Sequence, residues 1–240
     1  MALLELEHVT RRFGGVVALD DVSFSVEQGE IVGLIGPNGA GKTTAFNVIT
    51  RLYKPDDGEV TFDGESLLAT PPHGVVRRGI ARTFQNVELF PSMTVRDNVL
   101  VGAHSRRAAR SGLREILEYL ELERLAERPV PGLPYSTRKR IELARALVSE
   151  PRLLLLDEPA GGLSHEEVEN LAELISRTRD RYDLTVLLVE HHMHLVMGIS
   201  DVVHVLDFGR MIASGEPSEV RSDPNVIDAY LGVEESDGAA

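Results

Sequence analysis

Apolar and polar positions follow three rhythms along the chain. In residues 3–9 they alternate, Leu4 and Leu6 against Glu5 and Glu7, which is the period of a half-buried strand. Val60-Thr61-Phe62 sits between two turn-forming pairs, Asp57-Gly58 and Asp63-Gly64, and predicts more antiparallel structure near the start. Ile31 to Ile35, Leu153 to Leu156 and Thr185 to Val189 are instead continuous apolar runs, as expected of strands buried on both faces. Each is followed by a helical or polar segment. After the second, Ser164-His165-Glu166-Glu167 has capping-box spacing, and Val168, Leu171, Ala172 and Ile175 then share one helical face. Buried strands alternating with amphipathic helices predict an α/β fold built on a parallel sheet.

Between residues 92 and 150 the rhythm turns helical. Leu113, Ile116, Leu117 and Leu120 form one stripe, and Ile141, Ala144 and Val148 a second. The expected organisation is a single domain over 1–235. Residues 1–91 and 150–235 form the α/β core with an antiparallel β portion, and 92–149 form an inserted helical subdomain. The acidic segment from Glu234 to Ala240 is expected to fray, with 236–240 as a tail.

Composition narrows the chemistry. The 240 residues carry a formal net charge of −13, so no bulk attraction to nucleic acid or anionic lipid is expected. Any bound phosphate must be held by a local arrangement. The chain has no cysteine, which excludes disulfides, thiolate metal sites and thiol nucleophiles and suits a reducing compartment. Met1 to Thr10 does not read as a signal peptide, and no apolar run approaches the roughly 20 residues that cross a bilayer. A soluble, cytoplasmic chain is the expectation.

Gly36-Pro37-Asn38-Gly39-Ala40-Gly41-Lys42-Thr43 fits G-x-x-x-x-G-K-[ST] and follows a buried strand. A helix is predicted from about Gly41, with Ala45, Val48, Ile49 and Leu52 on its buried face. Glycines let the backbone wrap a polyphosphate with its N–H groups pointing inward, and the helix N-terminus favours negative charge. Lys42 is placed to reach the β- and γ-phosphates and the Thr43 hydroxyl to ligate Mg²⁺. Leu153 to Leu156 delivers Asp157 and Glu158 to a strand end, where α/β folds hold ligands. Asp-Glu at such a place is commonly only the start of a polar loop. Behind a phosphate loop, and ahead of Pro159, it suits Asp157 holding Mg²⁺ and Glu158 deprotonating an attacking water.

Together with these motifs, Arg82-Thr83-Phe84-Gln85-Asn86 and Val189-Glu190-His191 make the chain resemble the ABC ATPase family along nearly its whole length. The resemblance implies a P-loop NTPase (RecA-like) core and Mg²⁺-dependent ATP hydrolysis. It implies that Gly36 to Thr43, with Thr44, hold the nucleotide. It further implies that Gln85 meets Mg²⁺ and the γ-phosphate, that His191 contacts the γ-phosphate, and that Phe13 stacks on adenine. Gly79 to Asn86, Leu89-Phe90-Pro91, Glu190 to Met197 and Gly209 to Gly215 are most similar to the ATP-binding subunits of branched-chain amino acid importers. The implied partners are transmembrane permease subunits, a second ATPase subunit and, indirectly, a substrate-binding protein, at the cytoplasmic face of the membrane. Val87, Leu89 and Phe90 are expected to line a groove for a short permease helix, or else to be core.

The family's signature loop, usually Leu-Ser-Gly-Gly-Gln at a helix start, binds the γ-phosphate held by the opposite subunit. Here the matching stretch is Leu133-Pro134-Tyr135-Ser136-Thr137. Pro134 lacks an N–H, and Ser136 adds a side chain where glycine allows close approach. Ser164 stands where the family often has Asp. Unequal sites in a heterodimer are therefore expected, with slow hydrolysis in a homodimer. Two other readings stay open: an ABC ATPase without a membrane partner, and a regulatory subunit with little turnover. Asp207-Phe208-Gly209 copies a kinase motif but reads as a turn between strands, because no catalytic loop accompanies it. His191, His192 and His194 suggest a metal site less well than the switch role. Arg106, Arg107, Arg110 and Arg114 read as a solvated face or a membrane-proximal patch.

Overall fold

The computed structural model describes residues 2–105 and 112–237. Arg106, Arg107 and Arg110 of the basic patch lie outside them, while Arg114 is paired with Glu118 one helical turn on (2.7 Å). Two sheets stack through the molecule. The first has four antiparallel strands in the order β2 (Val16–Glu27), β1 (Ala2–Phe13), β4 (Asp57–Phe62) and β5 (Glu65–Ser66). The second runs β10 (Arg210–Gly215), β9 (Val202–Asp207), β3 (Ile31–Ile35), β8 (Thr185–Val189), β7 (Leu153–Asp157) and β6 (Ile80–Arg82). All its pairings are parallel except β9 with β10.

The continuous apolar runs find their explanation here. Val32, Leu34, Leu153, Leu155, Leu187 and Val189 point into a core shared with the antiparallel sheet and helix α1 (Lys42–Ile49). Their neighbours Ile31, Ile35, Leu154, Leu156, Val186 and Leu188 point into a second core under the other helices. A strand with a core on each side has no polar face to write into its sequence.

The second core is built on α3 (Val95–Gly102), α4 (Leu113–Tyr119), α5 (Tyr135–Leu147), α6 (His165–Tyr182) and α7 (Met193–Ile199). Helix α2 (Val75–Arg78) leads into β6, and α8 (Pro217–Ser222) and α9 (Pro224–Asp237) close the chain. The stripes on α4 and α5 are buried as their spacing predicts. The Ser164–Glu167 capping box that starts α6 is formed in both directions.

Two expectations need correction, and one strand was not predicted. Helix α1 ends at Ile49, and Leu52, expected on its buried face, is 56% exposed. Asp57-Gly58 is not a turn but the start of β4, at a register shift against β1. Gly58 (φ +86°) is required there because a Cβ would lie 2.3 Å from the His8 carbonyl oxygen. Strand β2 stands where no element was predicted, although Val22, Phe24 and Val26 alternate with Ser23 and Ser25; its pairing with β1 shifts register near Val9 and Arg11. Helix α9 runs to Asp237. Asp63-Gly64 and Phe208-Gly209, by contrast, have positive φ at both residues, the hairpin geometry that joins β4 to β5 and β9 to β10.

Candidate active site

Parallel register brings the site together. Val189 of β8 pairs with Leu34 of β3 on one side and Asp157 of β7 on the other. The next residues, Ile35 with Gly36, Glu158, and Glu190 with His191, therefore emerge at one carboxyl edge of the sheet. Strand β6 delivers Arg82 and the following loop to the same edge.

The phosphate loop is shaped by its own glycines. Gly36 (φ +148°) has no room for a Cβ, which would lie 2.0 Å from the Leu206 carbonyl oxygen. Gly41 (φ +106°) is the residue preceding α1, and a Cβ there would lie 2.5 Å from the Ala18 carbonyl oxygen. Lys42 is buried, and its ammonium donates to the Gly36 (2.7 Å) and Pro37 (2.9 Å) carbonyls. Burial pulls the Lys42 amine below its ordinary value, opposed by Glu158 and Asp157 nearby. Thr43 is exposed on the first turn.

Asp157 is buried, and its Oδ2 accepts from Arg82 Nη2 at 2.6 Å. Arg82 also donates to Asn47 Oδ1 of α1 at 2.7 Å, so one guanidinium ties β6, β7 and α1 together. Glu158 occupies the left-handed region (φ +45°), which a non-glycine residue adopts at a cost of order 1–3 kcal/mol. Its N–H bonds the Val189 carbonyl (2.8 Å), and its Oε2 accepts from Gln85 Nε2 (2.7 Å). His191 Nδ1 lies 3.8 Å from the same oxygen, close enough for charge to be felt but too far for a hydrogen bond.

Glu190 is fully buried and holds this edge in place. Its Oε1 accepts from the Ala160 N–H (2.6 Å), and its Oε2 accepts from the His191 (2.9 Å) and His192 (3.2 Å) N–H groups. The His192 ring Nδ1 is 3.0 Å from Oε2 as well. Glu190, His191 and His192 thus form a tight group, but the carboxylate is already occupied by hydrogen-bond donors. His194 lies on α7 outside the group.

At the other end of the site, Phe13 meets Tyr53 edge to face (5.0 Å), with the Arg11 guanidinium 4.6 Å from the Phe13 ring centre. The altered signature sits at the start of α5, where Pro134 supplies no side-chain cap. The Ser164 N–H (2.9 Å) and hydroxyl (3.1 Å) donate to Glu167 Oε2, and Ser164, with a smaller part from Ser136, holds that carboxyl below its usual value. Ser136 and Glu167 both line the cleft between α5 and α6. Next to the Gln85 loop, Leu52, Phe84, Phe90 and Val101 line an open groove of 470 Å³. Of the three residues expected there, only Phe90 lines it; Leu89 packs on the core and Val87 is half-buried. Arg82, Tyr53 and Glu190 carry no signal in spacing, since only the fold reveals their partners. Arg82 and Glu190 do, however, stand inside the two quoted family motifs.

The Thr43 hydroxyl, the Gln85 amide oxygen and the Asp157 carboxylate are hard oxygen donors of the kind Mg²⁺ selects. A glycine loop on a buried lysine, backed by paired carboxylates at a parallel-sheet edge, defines a nucleoside-triphosphate-hydrolysing domain of the P-loop class. A family model described as ABC transporter matches residues 19–161, and one described as branched-chain amino acid ATP-binding cassette transporter matches residues 210–236. The chain is 42% identical to the high-affinity branched-chain amino acid transport ATP-binding protein BraF of Pseudomonas aeruginosa, over 96% of this chain and 98% of that protein. Identity and coverage are the same for LivG, the corresponding protein of Escherichia coli. The crystal structure of the ADP conformation of an ATP-binding cassette of an ABC transporter superposes with a TM-score of 0.89 at 32% identity, covering 97% of this chain and 99% of that one. The chain belongs to the ABC transporter family, as one of its ATP-binding, ATP-hydrolysing subunits.

Proposed function

We propose that this chain powers the uptake of branched-chain amino acids through transmembrane permease subunits, as one of a pair of ATPase subunits at the cytoplasmic face of the membrane. Among the described residues no helix is long and apolar enough to cross a bilayer, so the path for substrate belongs to other chains. The observation that carries the reading is the convergence of Lys42, Gln85, Asp157, Glu158 and His191 on one sheet edge, in a chain 42% identical to BraF and LivG.

In this reading, Gly36 to Thr44 hold the phosphates and Phe13, backed by Tyr53, receives adenine. Mg²⁺, held by Thr43, Gln85 and Asp157, supplies charge neutralisation of the phosphate oxygens when bound. Glu158 takes the proton of the attacking water, and His191 donates to the γ-phosphate. Gln85 fixes the orientation of Glu158. ATP binds the closed pair better than the open one, and that difference drives the permease. The groove of Leu52, Phe84, Phe90 and Val101 receives a short permease helix.

The signature stretch favours a heterodimer. With Pro134 lacking an N–H and the Ser136 side chain standing where glycine allows close approach, this chain presents a weak cradle to its partner's ATP. Its own site needs a partner with an intact signature. The test is reconstitution with permease partners in lipid vesicles. ATP-driven uptake of leucine, isoleucine or valine that stops with Glu158→Gln supports the reading; uptake unaffected by that change, or none of these substrates moved, overturns it.

A further inference from the structure

Helix α5 begins at the signature stretch, and three of its side chains reach the loop that carries Gln85. They are three residues apart, on one face. Glu142 Oε1 accepts from the Phe84 N–H (3.1 Å), Lys139 Nζ donates to the Gln85 carbonyl (3.1 Å), and Arg145 Nη1 donates to the Glu88 carbonyl (2.5 Å). Lys139 and Glu142 are buried, and Arg145 Nη2 lies 3.5 Å from Glu142 Oε1. Burial raises the Glu142 carboxyl, opposed by the Phe84 N–H and then by Arg145 and Lys139. Lys139 Nζ is also 5.5 Å from the ring centre of Tyr135, within the signature itself.

The far end of the same loop is held by α3. Fully buried Asn98 accepts from the Phe90 N–H (2.7 Å) and donates to the Phe90 (3.1 Å) and Thr94 (2.9 Å) carbonyls. Helix α3 in turn packs backbone to backbone on α5, where a Cβ on Gly102 would lie 1.9 Å from the Arg145 carbonyl oxygen. On its other side α5 faces a cleft of 390 Å³ shared with Glu167, Asn170 and Leu174 of α6. The helix is thus fastened to the loop and to α3, with open space towards α6.

We infer that Lys139, Glu142 and Arg145 are positioning residues for ATP hydrolysis: they make the Gln85 loop travel with α5, so that an encounter at the signature end of the helix is relayed through Gln85 to Glu158. The link is continuous, since Gln85 Nε2 donates to Glu158 Oε2 at 2.7 Å. The inference rests on the ATPase reading above. It adds a route by which the partner subunit's nucleotide sets the geometry of this chain's own base. A carboxylate that accepts one loop N–H, flanked by cations on two loop carbonyls, fixes three backbone groups that would otherwise need water.

The test uses Lys139→Met, Lys139→Arg and Glu142→Gln in the full chain, assembled with its partner subunits. Lys139→Met is expected to lower kcat at least tenfold with ATP affinity unchanged within twofold, and Lys139→Arg, which still donates to the Gln85 carbonyl, to keep most of the rate. Hydrogen exchange gives an independent reading in the Glu158→Gln background. Adding ATP is expected to slow exchange in 83–90 and 135–147 together, and in Lys139→Met to slow it only in 135–147. Unchanged kcat in Lys139→Met, or loop and helix protected by ATP independently before any substitution, overturns the relay while leaving the ATPase reading intact. Absence of turnover in the unmutated assembly overturns that reading and the relay with it. If Lys139→Met fails to fold, Glu142→Gln, which keeps an acceptor for the Phe84 N–H, and the exchange pattern of the unsubstituted grip carry the decision.

Discussion

Glu190 gathers four nitrogen donors on one buried carboxylate, and two of them belong to the backbone that aims His191. Glu190→Gln keeps the shape but turns one acceptor into a donor. Each N–H left without a partner in a buried site costs about 1–3 kcal/mol. A displacement of about 1 Å at a reacting centre lowers the rate as much as 10²-fold. The expected result is a kcat lowered roughly ten- to hundredfold with ATP affinity nearly unchanged, read from steady-state rates beside equilibrium nucleotide binding. Equal losses in both would assign Glu190 to nucleotide binding instead. At this scale, legibility depended on how local the chemistry is. The phosphate loop carries its conformation in its own glycines and its lysine six residues after Gly36, so a linear pattern suffices. Glu190 also holds Ala160 and Arg82 holds Asp157, 30 and 75 residues away, and no pattern over neighbouring positions holds those two pairings.

The strands β3, β7 and β8 were readable because each has a core on both faces and must be apolar throughout. Helix α6 was readable from its capping box and stripe. Strand β2 was not predicted, although Val22, Phe24 and Val26 alternate with Ser23 and Ser25; only the stretch before Val22, where the pairing with β1 shifts register and His8 and Asp21 bond across the bulge at positive φ (2.7 Å), breaks the period. Leu52 was misplaced for a related reason. Its spacing continues the buried face of α1, but the helix stops at Ile49 and the side chain instead joins the open groove. The elements are held at the site by the Arg82–Asp157 pair, with both side chains under 10% exposed. Removing one partner of a buried pair costs about 3–5 kcal/mol, because the other charge stays buried alone. Arg82→Met should therefore lower the unfolding free energy in urea by about that amount. Arg114→Ala, at a solvent-exposed pair, should leave the midpoint in place. An Arg82→Met midpoint equal to the unmutated one would remove the pair from the account of stability.

For the molecule as a whole, the central feature is an intact site paired with an altered signature. Loss of one preorganised donor at a developing charge costs roughly 10²–10³ in rate. A homodimer of this chain should accordingly hydrolyse ATP at no more than about a tenth of the rate of a mixed pair with an intact Leu-Ser-Gly-Gly-Gln partner. The double change Pro134→Ser with Ser136→Gly should narrow the gap. A homodimer as fast as the mixed pair would remove the asymmetry. The proposed asymmetry is legible only through the resemblance, since Leu133 to Thr137 carry no chemical signal until set beside the family's pattern.

The most direct test of the account is Mg²⁺-dependent ATP hydrolysis by this chain with a signature-intact partner, beside Glu158→Gln, with sedimentation reporting association. Loss of a general base removes roughly 10²–10⁴ in rate. The account predicts a fall of that order in Glu158→Gln and an ATP-dependent dimer that now persists. Equal hydrolysis by both proteins, or ATP bound by the variant with no dimer formed, would contradict it.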